Sequence, residues 1–444
     1  MKKNLKVLFV AHSGEISGGA NRSLLSMMQG LRDRYGIEPS ALIPERNSAL
    51  EAECARLGIA VYTGKYHRCC TVLKGEPKDA LRLMKLAAAP IIDRIGARKL
   101  SRSLPGDFDL IYTNERMTII GGYLAKRLHI PHVWHVRSFG RENATLFSPC
   151  WYARMSRCSD RIVLISRALY RDFGRHISPE KLRVVYNGLE PWKYMQEERH
   201  ADGAKCRGSR PEAMGDPGEA APLCDIRSEK DVCGSAAGGD GGHGAHGGMG
   251  MAGSRGDRPF RILVTGRITT YKCQADAVRA LEQLVRRHGV DARLLFAGQM
   301  PSYETDSYGQ KLQRYVNDHG LQENVQFLGE VDCADLLRIR SGIDVEAVCS
   351  QCEPFGRVTV EAMMAGLPVV GTNAGGTAEI IEDRVTGFLY PIHDVDALTR
   401  HLLWLYEHPR DAAVMGQKGQ ERAMACFTVE MMVDHVYGVI NEIV

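Results

Sequence analysis

Long hydrophobic runs are absent from this sequence of 444 residues. No apolar stretch approaches the roughly 18 consecutive residues that a transmembrane helix requires, so we expect no membrane span. Near the N-terminus, the short apolar stretch from Leu5 to Ala11 is interrupted by Lys6, which leaves it too short for the core of a signal peptide. The sequence therefore predicts a cytoplasmic protein.

Two common nucleotide-binding fingerprints are also missing. The loop after the first predicted strand, residues 17–21, reads Ser-Gly-Gly-Ala-Asn, which is neither the G-x-G-x-x-G dinucleotide fingerprint nor a Walker P-loop. An NAD-dependent dehydrogenase is therefore disfavoured. The 13 cysteines follow no framework spacing, and the C-x-x-C formed by Cys349 and Cys352 has no second pair nearby, which makes it a weak signal for a zinc or redox site.

Charge is distributed unevenly along the chain. Residues 1–195 contain 32 Lys and Arg against 17 Asp and Glu, whereas residues 196–444 contain 25 against 36. The basic half favours an anionic partner, such as phosphates, an acidic glycan, nucleic acid or an anionic membrane surface. The alternative is an ordinary solvated surface, which can have the same charge composition.

Composition and hydrophobic patterning predict an α/β protein. Apolar residues make up 44% and charged residues 25%, as in ordinary globular proteins, and the length suggests at least two domains. Near-continuous apolar strands alternate with amphipathic helices, which is typical of parallel sheets covered on both faces. Strands are predicted at 6–11, 39–43, 60–63, 110–113, 132–136, 162–165 and 182–186, and again at 261–265, 292–297, 325–328, 345–348, 368–371 and 388–390. We therefore expect two doubly wound domains, residues 1–195 and 258–444, with a last helix that could pack back on the first domain.

The segment between the two predicted domains has a different composition. Residues 196–257 are rich in Gly, Ala, Ser, Asp and Arg, and they cannot bury enough apolar surface to offset the entropy of ordering them. We expect a disordered, flexible linker, and replacement of residues 203–256 by a short Gly/Ser linker should leave folding unchanged. His243 and His246, with upstream cysteines, leave a metal-binding tract as the alternative.

A basic segment of the first half has two interpretations. Residues 79–104 combine apolar residues with six Lys and Arg, so the segment could lie on a membrane surface as an amphipathic helix. Alternatively, it packs on the sheet and turns a basic face outward. Pro90 predicts two short helices in place of one.

The most informative motif surrounds Glu353. A loop follows the strand 345–348, Gly356 shapes its turn, and a helix is predicted to begin near Arg357, with Glu361 one turn further on. A helix start at the carboxyl edge of a sheet offers free N–H groups to an anion. Two flanking carboxylates would repel a bare phosphate, but they suit a ligand that also carries hydroxyls. A nucleotide sugar combines both features.

Glu353-Pro-Phe-Gly followed by Glu361 resembles the E-x7-E motif of the retaining glycosyltransferases of family 4. The resemblance extends over both halves and fails only in the Gly-rich segment. It implies a GT-B fold of two facing Rossmann-like domains, with Glu353 on the donor sugar hydroxyls and Glu361 on the ribose hydroxyls. It also implies retention of the anomeric configuration and no requirement for a metal ion. In agreement, no DxD-type metal motif follows a predicted strand in this sequence.

Further residues match the same family. Gly266 permits a tight turn after a strand, and Arg267 and Lys272 can reach a diphosphate, although the family usually has Gly where this chain has Cys273. The resemblance implies that the catalytic group comprises His135, Glu353, Lys272 and Arg267. It implies that the donor contacts Gly18, Gly19, Arg267, Lys272, Glu353, Phe355, Gly356, Arg357, Val358 and Glu361.

Glu379, which follows the glycine pair at 375–376, is interpreted as structural because a carboxylate is favoured at a helix start.

The function predicted from these residues is transfer of a sugar from a nucleotide diphosphate sugar to a carbohydrate or lipid-linked acceptor, in cell-surface polysaccharide or glycolipid assembly. We expect no nucleic-acid partner, no cofactor and no metal ion. A peripheral contact with an anionic membrane is left open. Two alternatives remain, namely a nucleotide-sugar-binding subunit without turnover and a nonhydrolysing sugar-nucleotide epimerase of the same architecture.

Overall fold

A computed structural model describes residues 4–16, 19–73, 75–140, 145–148, 150–194, 258–300 and 308–444. The predicted linker 196–257 and the predicted donor-binding residue Gly18 lie outside these ranges, so the expectations for them remain predictions. The boundaries proposed for the domains likewise remain predictions.

The first sheet has seven parallel strands in the order β3-β2-β1-β5-β6-β8-β9. On β1, Val7 to Val10 are entirely buried, because helices cover both faces of the sheet. The strands are β1 (Lys6–Val10), β2 (Glu38–Ile43), β3 (Ala60–Thr63), β5 (Leu110–Asn114), β6 (His132–Val136), β8 (Arg161–Leu164) and β9 (Leu182–Val184). A short antiparallel pair, which the patterning did not predict, joins β4 (Cys70–Val72) to β7 (Thr145–Phe147).

Six helices accompany the first sheet. They are α1 (Gly19–Tyr35), α2 (Ala49–Arg56), α3 (Asp79–Ser103), α4 (Ile120–Leu128), α5 (Trp151–Cys158) and α6 (Arg167–Phe173). The prediction that Pro90 divides α3 was wrong, since one helix runs through it. Pro90 removes a single backbone hydrogen bond, and it is buried together with Leu86, Ala89 and Ala97, so packing of the inner face outweighs that loss.

The second sheet has six parallel strands in the order β12-β11-β10-β13-β14-β15. They are β10 (Phe260–Thr265), β11 (Ala292–Ala297), β12 (Val325–Gly329), β13 (Val345–Val348), β14 (Val369–Thr372) and β15 (Gly387–Tyr390). The helices are α7 (Gln274–His288), α8 (Tyr308–Asp318), α9 (Cys333–Arg340), α10 (Arg357–Met364), α11 (Thr377–Ile380), α12 (Val395–Glu407), α13 (Pro409–Cys426) and α14 (Val429–Asn441). The prediction of two doubly wound parallel sheets is confirmed.

The end of the chain returns to the first sheet. Helix α14 packs against α1, and its Val433 and Val436 are buried in one hydrophobic cluster with residues of β1 and β5. Backbone hydrogen bonds join Leu189 to both Phe427 and Val429, at 2.9 and 3.0 Å. Gly188 is required there, because a Cβ at this position would collide with the backbone of Thr428 and Val429. The last helix thus links the two halves.

Candidate functional site

The loop that carries Glu353 lies at the carboxyl edge of the second sheet. It leaves β13 and ends at Gly356, whose φ of +107° is one that residues with a Cβ rarely adopt. The Gly376 N–H donates to the Glu353 carbonyl at 2.7 Å, and a Cβ on Gly375 or Gly376 would collide with the backbone of this loop. The glycine pair therefore sets the position of Glu353.

The Glu353 side chain is only 13% exposed, and its carboxylate accepts hydrogen bonds from two side chains. Lys272 donates to it from the loop after β10, and the Ser350 hydroxyl donates at 2.6 Å. Burial works to raise the pKa of Glu353, but Lys272 and Ser350 outweigh it, so the pKa lies below its ordinary value of 4.5. Glu353 is therefore ionised at neutral pH, and sequence reasoning had not paired it with Lys272.

The loop before α7 has Cys273 where the family usually has glycine. Cys273 occupies that position with φ +49°, in the left-handed region, directly after the 3₁₀ turn Thr270–Lys272. Arg267, the other predicted cation, is exposed, and its carbonyl accepts a hydrogen bond from the Gln274 side chain at 2.9 Å. Of the two predicted cations, Lys272 is the one that contacts Glu353.

Glu361 lies on α10 among cationic and phenolic groups. Its carboxylate is 3.7 Å from Arg340 and 3.8 Å from Arg357, and the Tyr194 hydroxyl donates to it at 3.3 Å. Arg340 is fully buried and makes a bidentate pair with Glu346 of β13. Glu361 is therefore held on the side of the helix that faces residues of both sheets.

Phe355 and Val358 have their side chains in the core. Phe355 is 2% exposed, and its ring lies near those of Tyr186 and Phe427, with centroids 6.1 and 5.8 Å away. Val358 is partly buried against the same hydrophobic cluster. Any contact of Phe355 with a ligand is thus limited to its backbone, because its side chain packs between the two halves.

Arg357 reaches from the second sheet to the first. Its guanidinium donates to the buried Ser23 hydroxyl of α1 at 3.2 Å. A Cβ on Gly19, the first residue of α1, would lie 3.1 Å from the Arg357 side chain, so glycine allows this approach. The structure thereby brings the predicted residues Gly19 and Arg357 together at the start of a helix.

His135 lies at the end of β6, fully buried. Its Nδ1 is 2.8 Å from the Tyr112 hydroxyl and 3.2 Å from Arg137. Because Arg137 can only donate, Nδ1 accepts and the proton is on Nε2, which has no hydrogen-bond partner among the described residues. Burial, and then Arg137, lowers the pKa of His135 well below 6.5, so the ring is neutral at pH 7.

Arg137 is a second buried group at this edge, and sequence reasoning missed it. Its guanidinium donates to Asn114 at 2.7 Å and to Asn187, both through neutral side-chain oxygens. Burial lowers the pKa of Arg137 to about 10; repulsion by Arg357 acts in the same direction, whereas Tyr112 and Glu115 oppose it. The only sequence signal was an arginine two residues after His135 at a strand end.

Glu379 joins the halves at another point. Its carboxylate accepts hydrogen bonds from the Arg167 and Ala168 N–H groups at the start of α6, at 2.8 and 2.6 Å, and from the Tyr186 hydroxyl at 3.1 Å. This carboxylate caps a helix of the first half from the second half, and its contacts agree with the structural interpretation.

Two family descriptions match this chain. Glycosyl transferases group 1 matches residues 253–422, and Glycosyltransferase Family 4 matches residues 17–193. The chain belongs to the group 1 glycosyltransferases of family 4. The resemblance carried by Glu353 and Glu361 is thereby confirmed, although the roles of individual residues remain predictions.

Two curated members of the glycosyltransferases show the extent of similarity. An uncharacterized glycosyltransferase of Methanocaldococcus jannaschii is 24% identical over 297 residues, which are 64% of this chain and 63% of that protein. The GDP-mannose-dependent α-(1-6)-phosphatidylinositol monomannoside mannosyltransferase of Mycolicibacterium smegmatis is 34% identical over 175 residues, which are 38% of this chain and 44% of that protein. Each match spans less than two thirds of the relative's own length.

Solved glycosyltransferase structures have the same architecture. Anabaena HepE, determined in complex with UDP, aligns with a TM-score of 0.70 at 21% identity and covers 99% of this chain and 100% of its own. At that identity the likeness establishes the fold, which is GT-B.

Proposed function

We propose that this chain transfers a sugar from a nucleoside diphosphate sugar to an acceptor hydroxyl, with retention of configuration and without a metal ion. The observation that carries the proposal is the pair of facing cations, Arg137 at the first sheet and Arg357 at the second. Among the described residues, Arg137 hydrogen bonds only to neutral side chains, while Glu115 attracts it and Arg357 repels it at longer range. An anion between the two guanidinium groups would be attracted by both and would give Arg137 a negative partner in direct contact.

The diphosphate supplies that anion in the proposed complex. Free N–H groups at the starts of α1 and α10 would add hydrogen bonds to its oxygens. As the glycosidic bond breaks, negative charge grows on the departing phosphate, and Lys272 and Arg357 would stabilise it more strongly than they stabilise the bound donor. In this front-face reaction, the leaving oxygen itself takes the proton of the acceptor hydroxyl.

The sugar would be held by groups whose hydrogen-bonding capacity suits hydroxyls. The ionised Glu353 accepts hydrogen bonds from the donor sugar, and Glu361 accepts them from the ribose. His135 is neutral and offers an unpartnered Nε2–H, so it would donate to a sugar oxygen and would not act as a general acid. Each of these groups binds and orients the nucleotide sugar. Positioning of this kind accounts for a large part of enzymatic rate enhancement.

The acceptor class is proposed to be a carbohydrate or lipid-linked molecule in cell-surface polysaccharide or glycolipid assembly. The Mycolicibacterium relative is named as a phosphatidylinositol monomannoside mannosyltransferase, which supports a lipid-linked acceptor for this chain. The basic first half supports an acceptor or carrier with negative charge.

A thermal-shift screen of UDP-, GDP- and ADP-sugars tests the proposal. A donor at a hundredfold excess over its Kd should stabilise the folded protein by about 2.7 kcal/mol. The selected donor is then incubated with and without acceptor, and the products are analysed. Transfer only with acceptor supports the proposal. Isomerised donor without acceptor identifies an epimerase, binding without any product identifies a binding subunit, and failure of all nucleotide sugars to stabilise the protein refutes it.

A further inference from the structure

Helix α3 exposes an unusual amount of apolar surface. The described residues include 13 exposed large hydrophobic side chains, and six of them lie on this one helix: Leu81, Leu83, Met84, Ile91, Ile92 and Ile95. Met84, Ile91 and Ile95 are 70%, 66% and 61% exposed. Contiguous exposed apolar surface of this kind marks an interaction site, whereas isolated exposed hydrophobic residues are ordinary.

Three of the exposed residues lie on one stripe along the helix. Met84, Ala88, Ile91 and Ile95 are spaced by four, three and four residues, so they lie on the same face. Arg98 and Arg102 continue that spacing towards the C-terminal end. The opposite face is buried, with its carboxylate Asp93 accepting hydrogen bonds from His67, so α3 is anchored and its outer stripe is left without a partner within the described chain.

A cationic pocket adjoins this stripe. It has a volume of about 420 Å³ and lies between α3, α4 and α5. Among the residues that the structure describes, its lining contains no carboxylate, and none of its cations forms an ion pair with a described Asp or Glu. The lining cations are Arg94, Arg98, Lys126, Arg127, Arg154 and Arg157.

We propose that this surface, the α3 stripe together with the adjoining cationic pocket, docks on a bilayer that contains anionic phospholipid. The isoleucines would enter the boundary between headgroups and acyl chains, and the pocket would take a phosphorylated headgroup. Each Lys or Arg near an anionic surface contributes attraction, and apolar burial adds to it. Among the described residues, no helix could span a bilayer. The contact that we propose is a peripheral one.

Charge favours a lipid surface over a second copy of the chain. A symmetric dimer formed through this surface would bring the same patch of both copies together. Six cations from each copy would then face one another without described carboxylates to pair them. An anionic bilayer instead complements both the stripe and the pocket. The inference concerns binding to vesicles without donor or acceptor, so it stands or falls independently of sugar transfer.

Vesicle flotation tests the proposal with the full chain. Vesicles of phosphatidylcholine alone are compared with vesicles of equal parts phosphatidylcholine and phosphatidylglycerol, at low and at high salt. The stripe variant is Ile91→Ser/Ile95→Ser, and the pocket variant is Arg94→Ser/Arg98→Ser. Matched controls in the second half are Val414→Ser, at a half-exposed apolar residue, and Arg338→Ser, at an exposed arginine.

Wild-type protein and both controls should float with the anionic vesicles and remain unbound with the neutral ones. The pocket variant should lose about 30-fold in partitioning at low salt, since it removes two cations near the surface. The stripe variant should lose about 10-fold or more at either salt concentration, because apolar burial is not screened by salt.

Two results would overturn the inference. One is equal partitioning of the wild-type protein to neutral and anionic vesicles at low salt. The other is a wild-type dimer by light scattering that the stripe substitutions convert to a monomer, with vesicle binding unchanged. In that case the stripe is an interface between copies of this chain. Circular dichroism and melting temperature confirm that each variant is folded.

Discussion

The two sheets face each other with their carboxyl edges, and they accommodate a buried cation in opposite ways. At the second sheet, Lys272 donates to the ionised carboxylate of Glu353. At the first sheet, Arg137 lies fully buried among the amide oxygens of Asn114 and Asn187. Lys272 thus has a carboxylate in direct contact, whereas Arg137 has none among the described residues and is attracted by Glu115 only at longer range.

The difference indicates which groups of the site stabilise the free protein and which contribute to ligand binding. A compensated ion pair costs little in the free protein, so Lys272 and Glu353 are in place before any ligand arrives. A buried cation without a carboxylate in direct contact is less well stabilised, and a bound anion would supply that contact. We therefore expect substitutions of Lys272 or Glu353 to reduce both turnover and stability, and substitutions of Arg137 to reduce binding alone.

The largest effect is expected at Lys272. Loss of one preorganised donor to developing charge typically lowers kcat by about 100- to 1000-fold, so Lys272→Ala should do the same with a smaller change in KM. Lys272→Arg should recover part of the loss, because a planar fork replaces a compact ammonium. Steady-state kinetics measures both. Lys418→Ala, at a lysine on α13, is the matched control, and near-normal kcat in Lys272→Ala would remove this residue from the site.

The next largest effects are expected at Glu353 and Glu361, which should change different kinetic constants. Glu361→Gln should weaken donor binding with kcat little changed, since a ribose contact is made equally in ground and transition states. Glu353→Gln should lower kcat more than it raises KM, because a contact with the reacting sugar strengthens as the ring gains positive charge. Kinetics with donor titration distinguishes them. If both variants change kcat and KM in the same proportions, the assigned roles are wrong.

A smaller and more specific effect is expected at Arg137. Arg137→Gln keeps hydrogen-bond donors for Asn114 and Asn187 but removes the buried charge, so the melting temperature should stay level or rise. Donor affinity should fall about 10- to 150-fold, since a charged hydrogen bond contributes about 1.5–3 kcal/mol. Thermal melting and donor titration test the two parts separately. A clear loss of stability with unchanged affinity would mean that Arg137 is structural.

The smallest effect is the pH dependence of stability. In the wild type the folded pKa of Glu353 is depressed, so its contribution is present above the unfolded pKa and is lost as pH falls through the folded pKa. Without Lys272, burial raises that pKa, so the carboxylate becomes destabilising as pH rises through it. The stability lost through Lys272→Ala should therefore be larger at pH 7 than at pH 4, as measured by urea unfolding. A pH-independent loss would show that Lys272 does not control Glu353.

Local patterns predicted much of the fold and part of the site. Alternating apolar strands and amphipathic helices indicated two parallel sheets, because burial on both faces imposes that composition directly. Gly356 and Glu361 could be placed relative to Glu353, since turn and helix geometry act over a few residues. Patterning did not predict the β4 and β7 pair, whose strands of three residues carry too little periodicity to detect.

What the sequence by itself determined is therefore local, namely the strands, the helix that follows Glu353, and the family motif. Only the tertiary structure decided which distant groups meet. Asn114 and Asn187 lie 23 and 50 residues from Arg137, and Lys272 lies 81 residues from Glu353. Such contacts depend on strand order and on the approach of the two sheets, and those follow from packing of the whole chain. The same packing left the outer stripe of α3 uncovered.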